Sequence, residues 1–191
     1  MANEFREGSE FEKKLILQAL ETISAKLKSY IRARQHQLFL LIPKGEKNII
    51  YPQVFFIPES LIKTIHQIQE IATIREAGVY LGFIKRGKFH LSIEGAELFT
   101  SLQLIKEKEI IVLNEEGTKA ILYGNNIKKK IVKSFPDKLE KDKIYFILNP
   151  SKELIALGLS LKGKAEVETL GDKKEIFLNL IDKGYYLRQD Q

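Results

Sequence analysis

Apolar residues at a spacing of four open the chain. Phe11, Leu15, Ala19, Ile23 and Leu27 predict an amphipathic helix whose stripe needs a sheet or a second helix to cover it. Ser9-Glu10-Phe11-Glu12 reads as a capping box at its start, because a serine N-cap and a glutamate three residues on satisfy free backbone donors reciprocally. LFLLIP (38–43) and NIIYPQVFFIP (48–58) read as short strands, punctuated by Pro43-Lys44-Gly45 and by Pro52. Residues 60–72 return to helical spacing through Leu61, Ile65, Ile68 and Ile71 or Ala72. GVYLGFI (78–84) and KFHLSI (88–93) form a hairpin about Lys85-Arg86-Gly87, and a short helix from Glu94 closes the first half. This half is an α+β unit.

The rhythm changes near Gln103-Leu104. EIIVLN (109–114) is a strand, a short helix follows from Glu115 to about Leu122, and Tyr123-Gly124-Asn125-Asn126 is a turn in which Gly and Asn tolerate positive φ. IKKKIV (127–132) reads as a strand. KIYFILN (143–149) and ELIALGLSL (153–161) make an antiparallel hairpin about Pro150-Ser151-Lys152, and EIFLNLI (175–181) and GYYLR (184–188) supply the last extended pieces. Short strands with a single small helix predict a small closed barrel.

A chain of 191 residues, 44% hydrophobic and 29% charged, is long enough to bury a core as one domain or two small ones. No apolar run is long enough for a membrane span and the first residues are too polar for a signal peptide, so a soluble, cytoplasmic protein is expected, nucleolar if the source is eukaryotic. The absence of cysteine excludes disulfides, a cysteine nucleophile and thiolate metal sites, and His36, His66 and His90 are too far apart for a local ligand pair. No cofactor and no metal are expected.

The net charge of +6 is local in origin. Both halves carry the same excess, 14 Lys and Arg against 11 Asp and Glu before residue 104 and 17 against 14 after it. Residues 117–136, however, hold Lys119, Lys128, Lys129, Lys130 and Lys133 without an acid; smaller acid-free windows are 22–45 and 77–93 (Lys85, Arg86, Lys88). Strand alternation over 127–132 would set Lys128 and Lys130 about 7 Å apart on one side, close to the spacing of nucleotide phosphates. Tyr123 adds an aromatic plane, and Asn125 and Asn126 add amide groups, a combination suited to single-stranded RNA. The competing reading is an edge strand protected from aggregation by its lysines.

Other motifs are weaker. Gly158 to Ala165 matches a phosphate-binding loop except at Ala165, where serine or threonine is needed, and AEVETLG is too short and acidic for the helix that should follow. A strand end or hairpin turn carrying two lysines is the plainer reading. Glu115-Glu116, Glu107 and Glu109 sit among lysines and read as solvated ion-pairing surface. His90 alternates with its neighbours in a strand, packed or exposed rather than catalytic. No G-x-S-x-G, H-E-x-x-H or G-x-G-x-x-G is present, so no motif supports an enzyme.

The order of elements from 109 to 188, with ILYGN (121–125), ALG (156–158) and DKGYYLR (182–188), resembles a PUA domain, and specifically the C-terminal half of the Nip-seven family of large-ribosomal-subunit biogenesis proteins. YPQVFFIPESLIK (51–63) and LGFIKRGKFHLSIEGAELF (81–99) resemble that family's N-terminal domain. The resemblance implies an N-terminal α/β domain over 1–103, with a mixed or antiparallel sheet and flanking helices, that engages ribosome-assembly proteins. A PUA-type pseudo-β-barrel over 104–191 would bind ribosomal RNA or its precursor, single-stranded and U- or AU-rich. It also implies a protein without catalytic activity; a monomer is expected. Leu122 to Asn125 and Lys129 match the family's helix-to-strand corner and Lys164 a basic residue after its hairpin, while Ile131 replaces a glycine common in the family. The expected RNA contacts are Tyr123, Gly124, Asn125, Asn126, Lys128, Lys129, Lys130, Lys133, Lys162 and Lys164, with Gly124 letting RNA approach the backbone. The alternatives are an RNA-modification enzyme or its accessory subunit, and a protein-protein adaptor. Heavy use of Ile, Lys and Glu suggests an archaeal member.

Overall fold

A computed structural model describes residues 4–44 and 51–189. The expected strand residues 48–50 and the turn glycine Gly45 lie outside them. The chain divides into two compact units, the first holding most residues up to Leu98 and the second those from Phe99 on.

The first unit is built on five strands, β1 (Glu4–Glu7), β2 (Leu38–Ile42), β3 (Gln53–Phe56), β4 (Val79–Lys85) and β5 (Lys88–Leu91). They lie in the order β1-β2-β3-β4-β5, antiparallel throughout. Among the described residues four α-helices accompany them, α1 (Glu10–Ile23), α2 (Ala25–Arg32), α3 (Glu59–Gln69) and α4 (Ile93–Ser101). LFLL is buried at every position, because helices cover both faces of the sheet. Phe39, Leu41, Phe55 and Ile57 pack with Phe5 and with Ile65 of α3 on one side, and on the other Tyr30 of α2 meets Phe56 at 6.2 Å.

Two differences from the sequence pattern stand out here. EFRE, too short and polar to announce a strand, becomes β1 by pairing its backbone with β2 and burying Phe5. The apolar stripe runs through Ile16, Leu20, Ile23, Leu27 and Ile31, all buried, whereas Phe11 is 69% exposed. A strict spacing of four drifts about 40° per step around a helix of 3.6 residues per turn. A step of three, from Leu20 to Ile23, corrects that drift and keeps one face inward, and the helix also breaks at Ser24 into α1 and α2.

The second unit is a curled six-stranded sheet of β6 (Ile110–Leu113), β7 (Ile127–Lys128), β8 (Val132–Ser134), β9 (Ile144–Leu148), β10 (Leu154–Ser160) and β11 (Glu175–Asp182). Its order is β7-β11-β10-β9-β6-β8, with β6 parallel to β9 and the other pairs antiparallel. The two edges, β7 and β8, are separated in sequence only by the 3-10 turn Lys129–Ile131, so the sheet nearly closes into a barrel. IKKKIV is therefore not one strand. Ile127 and Ile131 are both buried in the barrel core with Ile111, Tyr145 and Phe177, and a continuous strand would carry Lys129 inward between them. The turn puts both isoleucines inside and releases the lysine.

Among the described residues of this unit there are three α-helices rather than one: α5 (Glu115–Leu122), α6 (Lys164–Thr169) and α7 (Tyr185–Gln189). α5 begins where expected, capped by Asn114 Oδ1, which accepts from the Gly117 amide at 2.8 Å. Gly163 opens a six-residue helix rather than a hairpin turn. GYYLR is helical, not extended. An extended chain would carry Arg188 about 20 Å from Asp182, whereas the helical turn returns its guanidinium to the carboxylate at 2.9 Å.

The capping box is present and reinforced. Ser9 N donates to Glu12 Oε2 at 2.8 Å and Glu12 N to Ser9 Oγ at 3.4 Å, while Nη1 and Nη2 of Arg6 in β1 donate to the same carboxylate at 2.9 Å. Burial alone would raise the Glu12 pKa; the Arg6 and Ser9 hydrogen bonds outweigh it and hold the carboxyl at about 2 against an ordinary 4.5. Because the folded value is depressed, this contribution to stability is full above pH 4.5 and is lost as pH falls toward about 2. Glu12→Gln keeps the cap but not the charge, so its deficit in melting temperature relative to wild type is expected to shrink steadily over that acid range. A deficit independent of pH would contradict this.

Candidate nucleic-acid interface

The lysine run is divided by the barrel it borders. Lys128 on β7 is exposed and its side chain has no partner among the described residues; Glu175 stands opposite it in register on β11. Lys129 turns back, its Nζ donating to the carbonyls of Glu168 at 3.1 Å and Leu170 at 2.8 Å, where a cation satisfies the C-terminal end of α6. Lys130 pairs with Glu116 of α5. Lys133 on β8 is exposed and unpaired among the described residues. The expected pairing of Lys128 and Lys130 along one strand face is thus replaced by single, separately directed cations.

Lys162 and Lys164 flank the start of α6. Lys162 pairs with Glu166 at 3.2 Å, and Lys164 donates to the Asp137 carbonyl at 2.8 Å. Glu166 also accepts from the Gly163 amide at 3.0 Å, and that bond, then Lys162, lowers its pKa. The only phosphate-loop candidate therefore has its helix start filled by a carboxylate of its own chain.

The turn after α5 has more structure than its residues suggest. Gly124 adopts φ +83°, and a Cβ there would stand 3.2 Å from the Arg188 guanidinium carbon. Gly184, leading into α7, lies so close to the Leu122 carbonyl that a Cβ would fall 2.0 Å from the oxygen. Arg188 occupies the space between these glycines. It donates to the Leu122 carbonyl and forks onto Asp182, with Nη1 to Oδ1 at 3.0 Å and Nη2 to Oδ2 at 2.9 Å. Asp182 is 2% exposed and also accepts from Asn179 Nδ2 at 2.7 Å; its carboxylate raises the Arg188 pKa. Asn126 ties in from the other side, accepting from the Asn179 amide at 3.1 Å and donating to Glu175 at 3.1 Å. The α5–β7 and β11–α7 connections form one corner, fixed by a bidentate ion pair and two close backbone approaches.

Rings stand on this fixed corner. Tyr123 is 78% exposed, and Tyr185 and Tyr186, edge to face at 5.7 Å, are 43% and 46% exposed. Asn125 is exposed beside Tyr123. Gly124 serves first as the seat of Arg188. Sequence reasoning passed over Asp182, Gly184, Tyr185, Tyr186 and Arg188 as site residues, although DKGYYLR was visible as a unit; the spacing from Asp182 to Arg188 becomes a contact only once that segment is helical. Of the carboxylates, Glu116 pairs on the surface, but Glu109 is buried and accepts from the Lys106 amide at 2.8 Å, a structural cap. Among the described residues no group of His, Asp or Glu is arranged to hold a metal, and no helix is long and apolar enough to cross a membrane.

Gly184→Ala is expected to destabilise the protein by about 1–3 kcal/mol, the usual cost of forcing a backbone shift in a packed site. Gly171→Ala, where a Cβ meets nothing within 4 Å, should change little. Chemical denaturation of both variants checks this; equal effects would contradict the corner's packing.

Comparison with known proteins accounts for both units. Residues 5–93 match the NIP7/UPF0113 pre-PUA domain and residues 109–191 the UPF0113 PUA domain. A UPF0113 protein of Archaeoglobus fulgidus is 27% identical over 152 residues, spanning 80% of this chain and 79% of that protein. A conserved PUA domain protein from Thermoplasma acidophilum superposes with TM-score 0.58 at 15% identity, over 98% of this chain and 99% of the other. A hypothetical protein from Pyrococcus horikoshii gives TM-score 0.59 at 10% identity over 94% of each chain. With the pre-PUA and PUA domains matched in order, and the expected α+β unit and barrel-like sheet both present, the chain belongs to the NIP7/UPF0113 family.

Proposed function

We propose that this protein is a non-enzymatic RNA-binding factor of ribosome biogenesis, a cytoplasmic archaeal protein that holds single-stranded ribosomal RNA during large-subunit maturation. Residues 104–191 take the RNA, and residues 1–103 engage assembly proteins. The observation that carries this reading is the exposed Tyr123 on the corner fixed by Arg188, beside the unpaired Lys128, within a PUA domain. Unstacked bases need aromatic planes, and phosphates need cations not already spent on the protein's own carboxylates. Tyr123, with Tyr185 and Tyr186, supplies the first; Lys128 and Lys133 supply the second. Asn125 is placed to reach a base edge. Lys129, Lys130, Lys162 and Lys164 are engaged within the chain and contribute mainly to its framework and field.

Fluorescence anisotropy with a U-rich single strand across a salt series tests this. Wild-type affinity is expected to fall steeply with salt. Lys128→Ala/Lys133→Ala should lower the log-log slope by roughly 1.4, about 0.7 per phosphate contact on a single strand. Tyr123→Ala should cost about 1–3 kcal/mol of binding, the usual loss when one stacked base loses its ring. Lys129→Ala should leave the slope nearly unchanged and lower stability instead. A flat salt response in wild type, or equal slopes for wild type and Lys128→Ala/Lys133→Ala, would refute the assignment.

A further inference from the structure

The first unit has an aromatic column that its core does not use. Cross-strand register sets Leu41, Gln53, Phe83 and His90 in one row across β2, β3, β4 and β5. The neighbouring row of Phe39, Phe55 and Tyr80 packs beneath α3. On the outer side of the column, Lys85 and Lys88 pair in register, and Tyr51 precedes β3 by two residues, on the same face by alternation. Phe83 and His90 stack with centroids 5.0 Å apart and planes at 11°; Tyr51 and Phe83 stack at 5.8 Å and 25°. Lys85 Nζ stands 4.9 Å from the Tyr51 centroid.

Three near-parallel rings thus run across the sheet, with a lysine over one end. The other end is His90, exposed and on the edge strand β5. Among the described residues no further ring stands against it. An exposed ring at the end of such a stack offers a face on which another flat π system can pack. Lys88 lies on the same face of β5, and Arg86 lies in the adjoining turn, both exposed and unpaired among the described residues. No acid occurs between residues 77 and 93. We infer that this edge of the N-terminal sheet is a second contact for single-stranded RNA, in which a base extends the Tyr51–Phe83–His90 column and Lys85, Arg86 and Lys88 meet the flanking phosphates.

Burial, then the charges of Lys85 and Lys88, lowers the His90 pKa. At neutral pH His90 is accordingly a neutral ring in a positive field. The column favours RNA over an acidic peptide, because carboxylates need the cations and not the rings. It rests on the reading of the protein as an RNA binder, and adds a separate RNA contact on the first unit.

The chain lacks tryptophan, so His90→Trp in the full-length protein gives a single reporter that keeps an aromatic ring at an exposed position. Oligouridine is expected to quench its indole emission as the base stacks. His90→Ala/Lys88→Ala, monitored for folding by circular dichroism, should bind labelled oligouridine roughly fivefold or more weakly than wild type. RNA binding without quenching, and with His90→Ala/Lys88→Ala at wild-type affinity, would overturn this inference. If Tyr123→Ala still weakens binding in that case, the assignment of the PUA corner stands. Emission that responds to polyglutamate and not to oligouridine would overturn it in favour of a protein-docking edge. Absence of any binding of oligouridine by wild type would overturn both.

Discussion

Ile127 and Ile131 bracket the densest cationic stretch of the chain, and both have to reach the barrel interior. A regular strand would meet that demand only by burying Lys129 between them, and a lone ammonium in an apolar core costs several kcal/mol. A single 3-10 turn resolves the conflict. The same turn separates β7 from β8, so that the two free edges of the curled sheet begin within a few residues of each other. Barrel closure and the distribution of surface charge thus follow from one local packing requirement.

Once the turn is in place, each lysine has a different fate. Lys129 reaches the carbonyl end of α6, Lys130 meets Glu116, and Lys128 is left on the rim beside the α5–β7 corner. That corner is stiff for a separate reason. Arg188 is held between the buried Asp182 and the Leu122 carbonyl, and both neighbouring glycines leave just enough room for it. Rings on a preorganised corner lose little freedom when a base stacks on them, which matters because ordering a loop on binding would subtract from the affinity gained. The proposed RNA contact therefore depends more on a few rigid planes and two unspent cations than on the number of lysines.

Much of the frame was legible in the pattern of residues. Alternation and turn chemistry located β2, β4, β5, β9 and β10, and Asn114 and Ser9 marked helix starts that the hydrogen bonds bear out. What escaped was set by tertiary partners. β1 exists because β2 offers an edge, and α7 exists because Asp182 holds Arg188, although GYYLR has the composition of a strand. The lysine run misled for the same reason: alternation gave the faces of an ideal strand, while the positions of Ile127 and Ile131 were fixed by the core. The residue types of Tyr123 and Lys128 make them candidates in the sequence, and the structure leaves both exposed. The Arg188 clamp beneath them joins segments more than sixty residues apart, and no local window contains it.

Hydrogen exchange of the full-length protein with and without a saturating U-rich single strand tests the central claim most directly. Slowed exchange in 122–128 and 184–188, with little change around β9 and β10, is the result this account predicts. Bound RNA that leaves both corner segments exchanging as in the free protein would contradict it.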